Sequence, residues 1–153
     1  KAGLKPGLRN FFCFDRQKNQ TNATQRVRLK AMAKDILVGK VADFKEGDKK
    51  IIPNGGSEIG VYHVHGKWQA YQNLCPHQGG PACEGLMMAK VEEIIAEDKT
   101  YQGMRFNHDE MHIVCPWHGW EFDIESGVAC ADNKWKLRKY DVEVRGDDVY
   151  VKA

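Results

Sequence analysis

From residue 35 onward, apolar side chains recur every second position in short runs broken by polar, glycine-containing turns, the period of half-buried strands. "DILVGKVADF" (35–44) reads as a strand and "KEGDKK" (45–50) as a turn. "NGGSEIG" (54–60) is a second turn signal. "EIGVYHVHGKWQAYQN" (58–73) predicts a hairpin turning at His65 and Gly66, with Val61 and His63 alternating against Tyr62 and Val64. "HIVCPWHGWEFDIESGVA" (112–129) holds a strand, a loop, a second strand and a Ser-Gly turn. "LRKYDVEVRGDDVYVKA" (137–153) predicts a closing hairpin turning at 146–148, with Tyr140, Val142 and Val144 on one face. One stretch stays open on pattern alone. In "LMMAKVEEIIAEDK" (86–99), Met87, Met88, Val91, Ile94 and Ile95 fit a helical stripe, while residues 90–106 fit equally well two strands about a turn at 97–100. The remaining elements predict an all-β domain, an antiparallel sandwich or barrel.

The first 34 residues break this pattern. They hold an apolar patch, "LRNFFCF", and then a polar run, "DRQKNQTNATQR". An irregular arm is expected, with Phe11, Phe12 and Phe14 pinning it to the body or to a second subunit. Charge divides at the same place. Residues 1–34 carry nine Lys/Arg and one acid, Asp15; the other 119 residues carry 14 Lys/Arg and 20 acids. The chain is therefore read as a basic extension (1–34) on an acidic body (35–153). An acidic body without a basic, aromatic-interleaved surface argues against a nucleic-acid partner. No run approaches the roughly 20 apolar residues of a membrane span. The opening stretch has a basic start but no uninterrupted apolar segment, so no secretory signal is expected. Five cysteines, Cys13, Cys75, Cys83, Cys115 and Cys130, are an odd number. They fit free or metal-bound thiols in a reducing cytoplasm rather than a disulfide framework.

The chemistry lies in a repeated hexapeptide, "CPHQGG" at 75–80 and "CPWHGW" at 115–120. Each copy opens Cys-Pro and follows with a histidine and a glycine. Cys75, His77, Cys115 and His118 make a four-ligand set of two thiolates and two imidazoles. Pro76 and Pro116 stiffen the loops, and the glycines allow close approach of the backbone to a bulky centre. Trp117 and Trp120 are expected to wall off solvent. A zinc ion accepts two Cys and two His. Zinc sites usually group like ligands on one knuckle, whereas each loop here supplies one of each kind. That distribution suits two irons, one held by both cysteines and the other by both histidines.

"CPHQG", "CPWHGWEFD" and the Ser-Gly turn that follows resemble the Rieske family over residues 35–153. The resemblance implies a Rieske-type antiparallel β fold with an inserted cluster-binding subdomain at about 74–121. It implies one [2Fe–2S] cluster, with Cys75 and Cys115 on one iron and His77 and His118 on the other. It also resolves the open stretch toward a β-hairpin. Rieske proteins of respiratory complexes add a disulfide across the two loops; the corresponding positions here are Gly80 and Trp117, so that bridge cannot form. Those proteins also place a cluster-bonding serine where Trp120 stands. Cys83, three residues beyond the expected cysteine, is read as a buried small side chain. What remains resembles the low-potential ferredoxin components of aromatic-ring hydroxylating oxygenase systems. The function this implies is one-electron transfer from a flavin-dependent reductase to a terminal oxygenase, with substrate chemistry left to the partner. The alternatives are a Rieske subunit of a larger oxygenase complex and a zinc-stabilised module without a redox role. An oxidised centre with two thiolates and two neutral imidazoles has no net charge, whereas four thiolates make it a dianion. It is therefore the easier of the two to reduce, within a span of roughly −150 to +300 mV and expected at the lower end.

"NHDEMH" (107–112) offers His108, Asp109 and His112 for a mononuclear iron. The segment leads straight into the strand before Cys115, so no such site is expected. His63 and His65 are expected on one strand face in hydrogen-bonded or solvated roles. Glu92 and Glu93 read as a solvated face.

Overall fold

The computed structural model describes residues 34–153, and among them there is no α-helix. The expectations for Phe11, Phe12, Cys13 and Phe14 lie outside the described residues. Nine strands are present: β1 (Asp35–Lys40), β2 (Lys49–Asn54), β3 (Ser57–Val64), β4 (Lys67–Gln72), β5 (Met87–Ile95), β6 (Tyr101–Val114), β7 (Glu121–Asp123), β8 (Lys139–Arg145) and β9 (Asp148–Lys152). Six form one sheet in the order β1-β9-β8-β4-β3-β2, and three form another, β5-β6-β7. All strand pairs are antiparallel.

The turns explain the register. β3 and β4 meet through His65 (φ 53) and Gly66 (φ 67), two successive left-handed residues whose twist matches that of the flanking strands. His65 therefore sits in the turn, not on the strand face shared with His63. The Glu46 carboxylate accepts the N–H groups of His65 and Gly66. Those two bonds, His65 first, hold it below the usual carboxylate range. β8 and β9 turn at Gly146 (φ 60) and Asp147. Tyr140 is buried on this hairpin, whereas Val144, close to the turn, is exposed although Val149 opposite it is buried. The two edge strands of the larger sheet come together where the Lys50 ammonium donates to the Val38 carbonyl (2.7 Å), so the sheet curls into a nearly closed barrel.

Inside the barrel lie Val38, Ile52, Ile59, Val61, Ala70, Tyr140, Val149 and Val151. A second core lies on the outer face of β3 and β4, around Tyr62, Val64, Tyr71, Cys83, Ile113, Phe122, Ile124 and Leu137. β3 is thus buried on both faces. Each large apolar side chain fully buried there contributes roughly 1.5–3 kcal/mol. The second core is the floor on which the smaller sheet and the two Cys-Pro loops stand.

The open stretch is a hairpin. β5 and β6 pair over most of their length and turn at residues 96–100. Val91, Ile94 and Ile95 are exposed on it.

Candidate metal centre

The two hexapeptides fold alike. In the first, the Cys75 N–H donates to the Gly80 carbonyl (2.7 Å) and the Gly79 N–H to the Cys75 carbonyl (2.8 Å). In the second, the Cys115 N–H donates to the Trp120 carbonyl (2.8 Å) and the Gly119 N–H to the Cys115 carbonyl (3.0 Å). Gly79 (φ 75) and Gly119 (φ 67) take the left-handed turn each loop needs.

Neighbouring residues set the distance between the loops. A Cβ on Gly85 would lie 1.7 Å from the Val114 carbonyl oxygen. The segment leaving the first loop therefore runs directly against the strand entering the second, and the Val114 N–H donates to the Leu86 carbonyl (2.8 Å). The Lys49 ammonium donates to the carbonyls of Cys83 (3.1 Å) and Glu84 (2.9 Å). Asn73 accepts from the Cys83 N–H (2.8 Å) and donates to Glu58 (2.9 Å). Gly85, Lys49 and Asn73 were not singled out in the sequence, because spacing alone gives no sign of a backbone crossing. Cys83 is fully buried, as expected. Burial pushes its thiol up to about 11.

The loops bring the four expected residues together in pairs. Cys75 and Cys115 are both buried. Burial first, then the neighbouring Cys115 thiol, raises the Cys75 thiol against the lowering effect of the His77 and Gln78 N–H groups. The rings of His77 and His118 lie 4.9 Å apart at 85°. His77 is half-buried and His118 exposed. The cysteines therefore form the inner end of the site and the histidines the outer end. Trp120 stacks on His77 at 4.7 Å and 12° and meets Trp135 edge-on at 6.0 Å. Trp120 is the wall expected of it. Trp117 is not: it is 58% exposed, because it lies on Gly80, whose missing side chain leaves a seat for the indole on the outside of the loop pair. A Cβ on Gly80 would come within 2.8 Å of that ring. The two positions across which no disulfide was expected are in contact.

One observation tests whether a bound group fits here. His77 Nδ1 is buried, yet no group among the described residues bonds to it. A buried ring nitrogen without a partner is costly unless something else meets it. The donor set suits a centre with a cysteine end and a histidine end.

The fold separates the three candidate ligands of "NHDEMH". β6 bulges opposite the step from Ala89 to Lys90. His108 and Asp109 lie exposed on the bulge, while His112 is buried beyond it. His63 stacks on Trp68 at 4.5 Å.

A β-barrel carrying two matched Cys/His loops on an accessory sheet defines a class of metal-cluster protein. The chain belongs to the Rieske [2Fe-2S] domain family, whose sequence profile matches residues 34–141. The cofactor is one [2Fe–2S] cluster. The ferredoxin component of the p-cumate 2,3-dioxygenase system of Pseudomonas putida is 29% identical over 120 residues, covering 75% of this chain and 84% of that protein. The ferredoxin of carbazole 1,9a-dioxygenase from Nocardioides aromaticivorans IC177 is similar in fold, with a TM-score of 0.55 and 21% identity over 78% of this chain and 98% of that one. A complex of reduced oxygenase and oxidised ferredoxin in carbazole 1,9a-dioxygenase contains a chain with a TM-score of 0.55 and 23% identity, covering 76% of this chain and 99% of that one. Among the described residues, no helix is long and apolar enough to cross a membrane.

Proposed function

We propose that this protein is a one-electron carrier that takes an electron from a flavin-dependent reductase and delivers it to a terminal oxygenase in a reducing cytoplasm. Cys75 and Cys115 would hold the buried iron, and His77 and His118 the outer one. The bound cluster supplies a site for a single electron. The observation that carries this reading is the polarity of the site: sulfur donors inside, imidazoles at the surface. The accessible His118 ring lies beside the exposed indole of Trp117, an apolar rim that an acceptor protein can desolvate on docking. The relatives named as ferredoxin components of oxygenase systems support the same partners. The basic extension, residues 1–34, and the acidic body, 35–153, would be separate domains, the first available for partner contact. Chemistry on an organic substrate would belong to the oxygenase.

The test begins with the purified protein. It is expected to be red-brown, to contain two irons and two acid-labile sulfides per chain, and to give a low-average-g paramagnetic signal on reduction. One zinc and no labile sulfide would overturn the reading. Cys115→Ser is expected to abolish the colour. His118→Cys is expected to retain some cluster at a lower potential, because a thiolate replaces a neutral ligand next to the added electron. An unchanged potential refutes the charge argument.

A further inference from the structure

A second group of ligating side chains lies beside the second Cys-Pro loop. His112 on β6, Glu121 on β7 and Cys130 beyond the Ser-Gly turn place their donor atoms within 4.8 Å of one another. β6 and β7 pair with His112 opposite Asp123. The Cys130 N–H donates to the Glu121 carbonyl (2.9 Å) and so folds the third residue back onto the first two. His112 Nδ1 lies 3.0 Å from Glu121 Oε2 and 3.7 Å from Cys130 Sγ. The His112 side chain is only 7% exposed, whereas that of Glu121 is 44% exposed. The buried imidazole thus forms the base of the group. Its two partners, the Glu121 carboxylate and the Cys130 thiol, line a cavity of about 360 Å³ together with Gly119, Trp120 and Ala131.

We propose that His112, Glu121 and Cys130 form a mononuclear site for a borderline-soft divalent cation of the zinc type, separate from the [2Fe–2S] centre, with its fourth coordination position open to this cavity. An imidazole nitrogen, a carboxylate oxygen and a thiolate are each zinc ligands, and three protein donors with one open position is a known zinc arrangement. Donors bonded at roughly 2.0–2.3 Å in a tetrahedron lie some 3.3–3.6 Å apart, and the spacings from His112 Nδ1 bracket that value. Cys130 Sγ is almost as far from Nε2 (3.6 Å) as from Nδ1. A rotation of this side chain therefore brings it to either nitrogen. The charges also match: a dication between one carboxylate and one thiolate is neutral. Without a cation, burial, then the carboxylates of Glu121 and Asp123, keep the Cys130 thiol protonated by raising it. Binding exchanges that proton for the metal, so M²⁺ enters and one H⁺ leaves through the formation of a single S–M bond. Nothing here depends on the protein being an electron carrier.

The test is calorimetric titration of the full, cluster-loaded chain with Zn²⁺, with the visible spectrum recorded to confirm that the cluster is retained. One equivalent is expected to bind. The apparent enthalpy should change with the ionisation enthalpy of the buffer in the proportion set by one released proton. Cys130→Ser and Glu121→Gln, both lining the cavity, should each weaken binding by about tenfold or more with the cluster spectrum unchanged. No binding, or one equivalent bound with the same affinity by both variants, would overturn the proposal.

Discussion

Gly80 and Trp117 meet where the two Cys-Pro loops close on each other, and the contact can be weighed. Alanine at position 80 puts a methyl group 2.8 Å from the indole Cγ and Cδ2 of Trp117 and 3.2 Å from its Cβ. These atoms are the root of the side chain, so a small swing of the ring cannot relieve the overlap. Gly80 does not have a left-handed φ, so the penalty is contact alone, about 1–3 kcal/mol of overpacking. Its neighbour is the converse. Gly79 has φ +75, and Leu74 Cδ1 at 3.7 Å is the nearest atom a Cβ would meet. Alanine there brings left-handed strain of roughly 1–2 kcal/mol and no clash. The assay is the rate of loss of visible colour at fixed urea. At ~1.4 kcal/mol per factor of ten, Gly80→Ala should bleach roughly five to 150 times faster than the parent if the whole penalty falls on the native state. In a Trp117→Ala background the acceleration by Gly80→Ala should largely vanish, while that by Gly79→Ala should persist. Equal acceleration by Gly80→Ala in both backgrounds refutes the contact as its cause.

Tyr71→Phe removes the hydroxyl that donates to the Ile124 carbonyl (2.9 Å) and leaves that buried oxygen unpaired. A loss of about 1–3 kcal/mol is expected, read as a lower urea midpoint with an unchanged slope; a midpoint equal to that of the parent would show that the bond contributes nothing. Arg145 (2.7 Å) and then Lys152 (2.8 Å) hold the Glu143 carboxyl down to about 2 from an ordinary 4.5. A depressed carboxylate contributes stability that is present above its unfolded pKa and lost as pH falls through the folded one. Glu143→Gln should therefore flatten the fall in stability between about pH 4.5 and 2, and a thermal midpoint profile parallel to that of the parent across this window would refute the assignment.

What could be read from the sequence follows from how local each signal is. The hairpins at His65 and Gly66 and at Gly146 and Asp147 are two-residue turns, and two residues suffice to specify them. The matched Cys/His loops were legible as a candidate site because each carries its whole backbone design, proline, glycine and possible donors, within one hexapeptide. The stretch at 86–99 was not, because Val91, Ile94 and Ile95 are exposed, and no buried face imposes its period on the sequence. Trp117, expected to wall off solvent, is exposed instead, because its seat is made by Gly80 on the other loop. His112, Glu121 and Cys130 come from three segments, and only the pairing of β6 with β7 and the turn beyond bring them together. Along the chain His112 groups with His108 and Asp109, its neighbours in sequence rather than in space.

The matched hydrogen bonds that close both loops bear on speed as well as on shape. Each jaw is a sealed ring of main-chain bonds, with one imidazole further clamped beneath an indole. Gain or loss of a charge at such a mount leaves few atoms free to shift. With a cluster held as proposed, the nuclear rearrangement that ordinarily slows a redox step would be small, and the rate of exchange would be governed by how closely a second protein approaches the exposed His118 ring.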